Sequence, residues 1–157
     1  MLQEELELDS PFLDAKHEAV LNIVRTASVL TLAGGSLLRD LDLTEAQFNV
    51  LMLLKYKQAP LTQTDIGRRL VITRASVTSV LDRLEAKRLV KRVAVPGNRR
   101  IYHIEFTPKG AGLIEQAEPQ YRQLVHRLMA DLNDKKCRTL IGLLEQIRAT
   151  ATKAQSK

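Results

Sequence analysis

The chain has one cysteine, Cys137, no tryptophan, and an aromatic content of only 4%. A single thiol cannot close an internal disulfide. The sequence also has no Cys-x-x-Cys pair and no Cys/His cluster with zinc-ligand spacing, so a disulfide-stapled secreted scaffold is excluded and a cytoplasmic location is expected. His17, His103 and His126 lie far apart. With no glycine-rich phosphate loop and no nucleophile elbow, neither a metal site nor an enzyme is expected. The scarcity of aromatic residues gives no sign of a flavin or haem pocket, so no cofactor is expected. Glu4, Glu5, Glu7 and Asp9 stand where a signal peptide needs basic residues ahead of an apolar run, so no export signal is expected. The longest apolar stretch, Val20 to Leu38, is broken by Asn22, Arg25, Thr26 and the pair Gly34-Gly35. A bilayer would penalise those groups, so no membrane span is expected.

What is present is an ordinary globular composition: 157 residues, 45% hydrophobic and 27% charged. That is enough for one compact domain with a real core. The net charge of +6 is unevenly spread. Met1 to Pro60 carries five basic residues against nine acidic, Leu61 to Gly110 eleven against four, and Ala111 to Lys157 eight against five. A basic middle third is the electrostatic footprint of a phosphate-backbone binder.

Periodicity places a long helix from about Ala15 to Leu38 with an apolar stripe too wide for one buried side. It packs inside a larger core or against a partner chain. Gly34-Gly35 is expected to bend or end this helix, with close packing as its purpose. Thr44 caps a second helix, Glu45 to about Lys57. Thr62-Gln63-Thr64-Asp65 is a Thr-x-x-acid start to a short helix ending near Leu70. Val71-Ile72 is a turn, and Thr73 caps a further helix to about Lys87 whose inner face is Val77, Val80, Leu81 and Leu84. Val90 to Val95, a turn over Pro96 to Arg100, and Ile101 to Phe106 make a β-hairpin with a basic tip. Thr107-Pro108 opens a long helix to about Leu132, with a kink expected from Pro119, and a last helix follows from about Asp134 to Thr150. The fold class is mainly α with a small β-hairpin: two short helices in a helix-turn-helix, followed by a wing.

On the second of those short helices, Ala75, Ser79, Asp82 and Ala86 face away from the core, flanked by Ser76, Thr78 and Arg83. Small and hydroxylated side chains let a helix backbone approach base edges in a major groove, and Arg74 reaches guanine or phosphate. Arg99 and Arg100 on the narrow hairpin suit a minor groove.

The segments Leu61 to Leu70, Thr73 to Arg92, Asn98-Arg99-Arg100 and Phe106 to Gly110 together resemble the multiple-antibiotic-resistance regulator (MarR) family, over nearly the whole chain. The resemblance implies a winged helix-turn-helix with N- and C-terminal dimerisation helices. In this arrangement residues 1–43 form an arm and dimer helix, 44–110 the DNA-binding lobe, and 111–157 the closing dimer helices, all within one compact domain. It further implies a homodimer on double-stranded DNA with a near-palindromic operator, acting as a repressor that a small-molecule effector releases. Arg100 is carried over as the minor-groove residue and Arg99 as a phosphate contact. Thr62, Gln63, Thr73 and Lys91 are assigned to the DNA backbone, and Arg25, Ser28 and Asn49 to an effector pocket. Two positions depart from the family pattern. Asn98 stands where an aspartate usually steadies the wing arginine, and Arg88 where glycine is usual, so a left-handed turn there would carry strain of about 1 kcal/mol. The alternative function is a winged helix that binds protein partners without sequence-specific DNA binding. Cys137, beside Lys135, Lys136 and Arg138, is expected to pack as a small apolar residue rather than act as a redox switch.

Overall fold

The structure is a computed structural model that describes residues 2–57, 59–70, 74–95 and 97–155. Val71-Ile72, Thr73 and Pro96, to which a turn, a cap and a turn were assigned, lie outside the described residues. The elements are α1 (Leu2–Glu5), α2 (Ala15–Asp40), α3 (Glu45–Tyr56), β1 (Leu61–Thr62), α4 (Gln63–Leu70), α5 (Arg74–Ala86), β2 (Val90–Val95), β3 (Asn98–Phe106), α6 (Pro108–Leu128) and α7 (Asp134–Gln155). They form two compact units, Met1–Tyr121 and Arg122–Lys157, with the boundary falling inside α6.

Local chemistry explains most of the helix ends. Asp14 accepts hydrogen bonds from the Lys16 and His17 amides at 2.7 and 2.9 Å and starts α2. The helix then runs through Gly34-Gly35 without ending, which corrects the expected break. Beyond the helix's own backbone, no described atom lies within 4 Å of a Cβ built at Gly34, while one built at Gly35 would lie 3.4 Å from the Arg39 guanidinium. The stop comes at Asp42 (φ 52), where the Leu43 amide reaches back to the Leu38 carbonyl at 2.8 Å. By length and composition alone α2 is apolar enough to cross a membrane. Arg25 on this helix pairs with Glu5 of α1 at 2.8 Å.

Thr44 and Gln47 form a reciprocal capping box at the start of α3. Gln47 is the one buried polar residue among those described, and the box satisfies its carbonyl oxygen. At the other end of α3, Lys55 and Tyr56 both donate to the Glu118 carboxylate of α6. Phe48 packs against Tyr121 with ring centroids 4.9 Å apart.

The sheet order is β1-β3-β2, all antiparallel. β1 is too short to have a readable period, yet it matters. By pairing Leu61 with Ile104 and Thr62 with His103, it ties the start of α4 to the wing. The core is built from Val50, Leu51, Leu61, Ile66, Val77, Leu81, Leu84, Leu89, Ile104 and Ile114, each at most 2% exposed. Burying each such side chain stabilises the fold by about 1.5–3 kcal/mol.

One junction joins α5, the sheet and α6. Arg88 adopts φ 58, so the chain leaves α5 through a left-handed residue, and the Leu89 amide returns to the Leu84 carbonyl at 2.9 Å. Thr107 then closes the start of α6. Its hydroxyl donates to the Arg88 carbonyl at 2.5 Å and accepts from the Gly110 amide at 3.1 Å. Gly110 lies so close to this turn that a Cβ there would sit 1.9 Å from the Leu89 carbonyl oxygen. In the second unit, Asn133 caps α7 through the Lys136 amide at 3.0 Å. Cys137 is half-buried, and its thiol donates to the Leu132 carbonyl.

Gly110→Ala forces backbone against backbone and is expected to destabilise the protein by about 2–3 kcal/mol in urea unfolding. Arg88→Gly is expected to act in the opposite direction. It removes about 1–2 kcal/mol of left-handed strain, against roughly 0.5–1 kcal/mol of added unfolded-chain freedom, so the same assay should register no loss and a gain of up to about 1.5 kcal/mol.

Candidate nucleic-acid interface

The interface is built from α4, α5 and the wing. At the start of α4, Asp65 accepts from the Thr62 hydroxyl at 2.7 Å and the Thr62 amide at 3.2 Å, while its own amide donates to the Thr62 hydroxyl at 3.1 Å. Arg68 and Arg69 close on the same carboxylate at 3.1 and 3.2 Å. The Thr62 hydrogen bonds and then the Arg69 guanidinium hold the Asp65 carboxyl below its usual 3.8, at about 2.

Gln63, expected as a backbone contact, donates to the Thr78 hydroxyl of α5 at 2.6 Å and so couples the two helices. Ser76, Thr78, Ser79 and Arg83 are all exposed on α5, whose inner face buries Val77, Leu81 and Leu84. Arg74 and Ala75 occupy the first turn of that helix. Arg83 stands apart from the hydroxyl group. With Arg39, Asp42, Thr44, Gln47 and Lys87 it lines a second, shallower cleft toward the α2–α3 corner.

The wing tip differs from the regular hairpin expected. Val95 pairs with Asn98, but the next pair is Ala94 with Tyr102. Arg99, Arg100 and Ile101 therefore stand in β3 where β2 has no opposing residues, a bulge that bends the strand beside the positive-φ Gly97. The basic tip is therefore irregular backbone rather than a regular two-stranded turn.

Arg92 was missed at the sequence level, and it links the two functional elements. Its Nη2 donates to Asp82 Oδ1 at 2.6 Å, its Nη1 to Glu85 Oε2, and its backbone amide to Glu85 Oε1 at 3.1 Å. Partial burial opposes the charge on Arg92. The hydrogen bonds to Asp82 and Glu85 outweigh that, so the guanidinium titrates above its ordinary range. Alternation along β2 puts Lys91 on the opposite face, where it pairs with Glu105 at 3.2 Å. The structure therefore brings Thr62 and Gln63 together with the wing residues Ile101 and Tyr102 and ties Gln63 to Thr78, but separates Lys91 from α5. The signal that points to Arg92 is an acid, Asp82, on the outward face of a helix in a strongly basic segment. Between α4, α5 and the wing lies a cleft of about 620 Å³, lined by Thr64, Arg68, Arg92 and Tyr102 among others.

Arg25, Ser28 and Asn49 line neither cleft. Arg25 is engaged by Glu5, the Ser28 hydroxyl donates to the Val24 carbonyl of its own helix at 3.0 Å, and Asn49 is exposed on α3.

Residues 41–101, which include α4, α5, β2 and the start of β3, match the model of the MarR family. The HTH-type transcriptional regulator MhqR of Bacillus subtilis is 30% identical over 116 residues, covering 73% of this chain and 79% of that protein. The chain belongs to the MarR family. The multiple antibiotic resistance protein MarR of Salmonella typhimurium is 31% identical, over 70% of this chain and 76% of its own length. A solved structure of BpsR from Bordetella bronchiseptica, described for the regulation of its DNA binding by 6-hydroxynicotinic acid, superposes with a TM-score of 0.72. It is 27% identical and covers 83% of this chain and 98% of that one. The protein is accordingly a DNA-binding transcriptional regulator with a winged helix-turn-helix, and its fold and family are those of regulators rather than enzymes.

Because the Asp65 carboxyl is depressed in the folded state, its contribution to stability is present above about pH 4 and is lost as pH falls through about 2. The stability gap between wild type and Asp65→Asn, followed by denaturant unfolding across this range, is expected to narrow as the solution is acidified. A gap that stays constant would contradict the assignment.

Proposed function

We propose that two copies of the chain bind a near-palindromic operator and repress the adjoining genes until a small molecule releases them. Each α5 enters a major groove through its first two turns, with Ser76 and Ser79 toward the bases and Arg74 toward guanine or phosphate. Arg99 and Arg100 of the bulged wing tip reach the neighbouring minor groove, and Thr62, Gln63 and Thr73 flank the backbone. The two half-sites lie about one helical turn, roughly 10 bp, apart. The observation that carries this reading is the hydroxyl-bearing face of α5, open to solvent, beside a basic wing fastened to the same helix.

The dimer is supported by apolar surface that the single chain leaves uncovered. Val20, Val24 and Leu32 of α2 are 54%, 58% and 78% exposed, and Ile141, Leu143 and Ile147 of α7 are about half exposed. Soluble monomers rarely display such stripes, and burial against a partner is worth roughly 25 cal/mol per Å². In this reading residues 1–43 and 111–157 form the interface, and α2 meets protein rather than lipid in a cytoplasmic regulator. Release by a small ligand follows the regulation by 6-hydroxynicotinic acid stated for the Bordetella protein; Arg25, Ser28 and Asn49 are the polar groups assigned to that ligand, outside the two described clefts.

Fluorescence anisotropy on duplex DNA across a salt series tests the proposal. Affinity is expected to fall by roughly a thousandfold or more between about 50 and 200 mM salt, through release of condensed counterions. Binding indifferent to salt would leave the protein-interaction reading in its place.

A further inference from the structure

We propose that Arg92 is a positioning residue for DNA recognition: it holds the wing and α5 at one fixed spacing and makes no phosphate contact itself. This rests on the groove-binding reading above. Charge alone would enrol Arg92 among the phosphate contacts, since it lies in the most basic third of the chain, but its surroundings argue otherwise. Its side chain is only 24% exposed, against 55% for Lys91 next to it. The guanidinium spends its two terminal nitrogens on two carboxylates of α5, and its backbone amide binds the second of them again.

A guanidinium is a rigid planar fork, so bridging two acids on a helix constrains direction as well as distance. Asp82 and Glu85 are three residues apart and hence neighbours on one face of α5. Holding both fixes the roll of the recognition helix about its own axis relative to β2, a constraint that one ion pair would not impose. Roll decides which side chains of α5 face the bases, and the β2–α5 distance decides whether tip and helix reach adjacent grooves together. Moving Arg92 onto a phosphate would also strand two carboxylates beside a polyanion. The same pairing explains how an outward-facing acid, Asp82, 57% exposed, is tolerated on a DNA-facing helix: its charge is neutralised by the wing.

The test uses the full-length protein with two duplexes of equal length, one enriched from a random library by the wild type and one of random sequence, each titrated over a salt series. Arg92→Ala, Arg92→Lys and Asp82→Asn are each expected to bind the enriched duplex roughly tenfold more weakly, with less than about threefold change on random DNA and an unchanged salt slope. Arg92→Lys keeps the charge but cannot span both acids, so its loss of discrimination is the sign of positioning. The double variant Arg92→Ala with Asp82→Asn is expected to be no worse than the worse single one. A salt slope reduced by about one in Arg92→Ala, with equal losses on both duplexes, would assign Arg92 to a phosphate and overturn the proposal. Tighter binding of the enriched duplex by Asp82→Asn would overturn it too, since the acid would then be restraining a phosphate ligand. Thermal melts accompany each variant, and if Arg92→Ala does not stay folded, the conservative Asp82→Asn and Arg92→Lys decide the question. A wild type whose binding ignores salt removes the groove-binding reading itself, and this proposal with it.

Discussion

The left-handed turn at Arg88 is the constraint on which the DNA-binding lobe depends. It ends α5, reverses the chain so that β2 can run back beside that helix, and presents the Arg88 and Leu89 carbonyls to the Thr107 hydroxyl and amide. α6 can then start where Gly110 clears the Leu89 carbonyl. Helix, wing and the following helix thus meet within a few ångströms of one peptide unit. The conformation is unfavourable for an arginine, and it persists because Leu84, Leu89 and Val90 are buried around it and over-determine the path.

Much of this lobe is legible in the sequence because its helix ends are written in local chemistry. Thr44 as an N-cap and Thr62-Gln63-Thr64-Asp65 as a four-residue helix start are local signatures, and the structure contains both, adding Gln47 as the reciprocal partner of Thr44. The apolar spacing of Val77, Leu81 and Leu84 gave the inner face of α5 directly. Gly34-Gly35 misled for a physical reason. Two glycines cost a helix only about 1 kcal/mol each, and the helix continues to a better stop at Asp42. The strand β1 had no readable pattern, since two residues cannot display a period. Its existence depends on Ile104 and His103 arriving from far along the chain.

The functional residues divide in the same way. Ser76, Thr78 and Ser79 could be placed by helix arithmetic, because exposure on a capped helix is a local property. Lys91 and Arg92 are adjacent and equally basic, so charge could not distinguish them. The alternation of β2 separates them, and only the neighbouring helix reveals that Arg92 is engaged by two acids while Lys91 faces Glu105 across the other side of the sheet. Arg99 and Arg100 were recognised as wing-tip residues, but the missing partners on β2 are a property of register, which a single strand does not encode.

The bulge has a consequence beyond where the tip points. In a sheet ordered β1-β3-β2, the outer side of β2 is a free edge among the described residues, and such an edge can recruit a strand from another molecule. Here regular pairing with β3 ends at Ala94, and β2 carries charge at Lys91 and Arg92, so the edge it offers is short and charged. A short edge of this kind, interrupted by charge, disfavours strand-to-strand pairing between one wing and another.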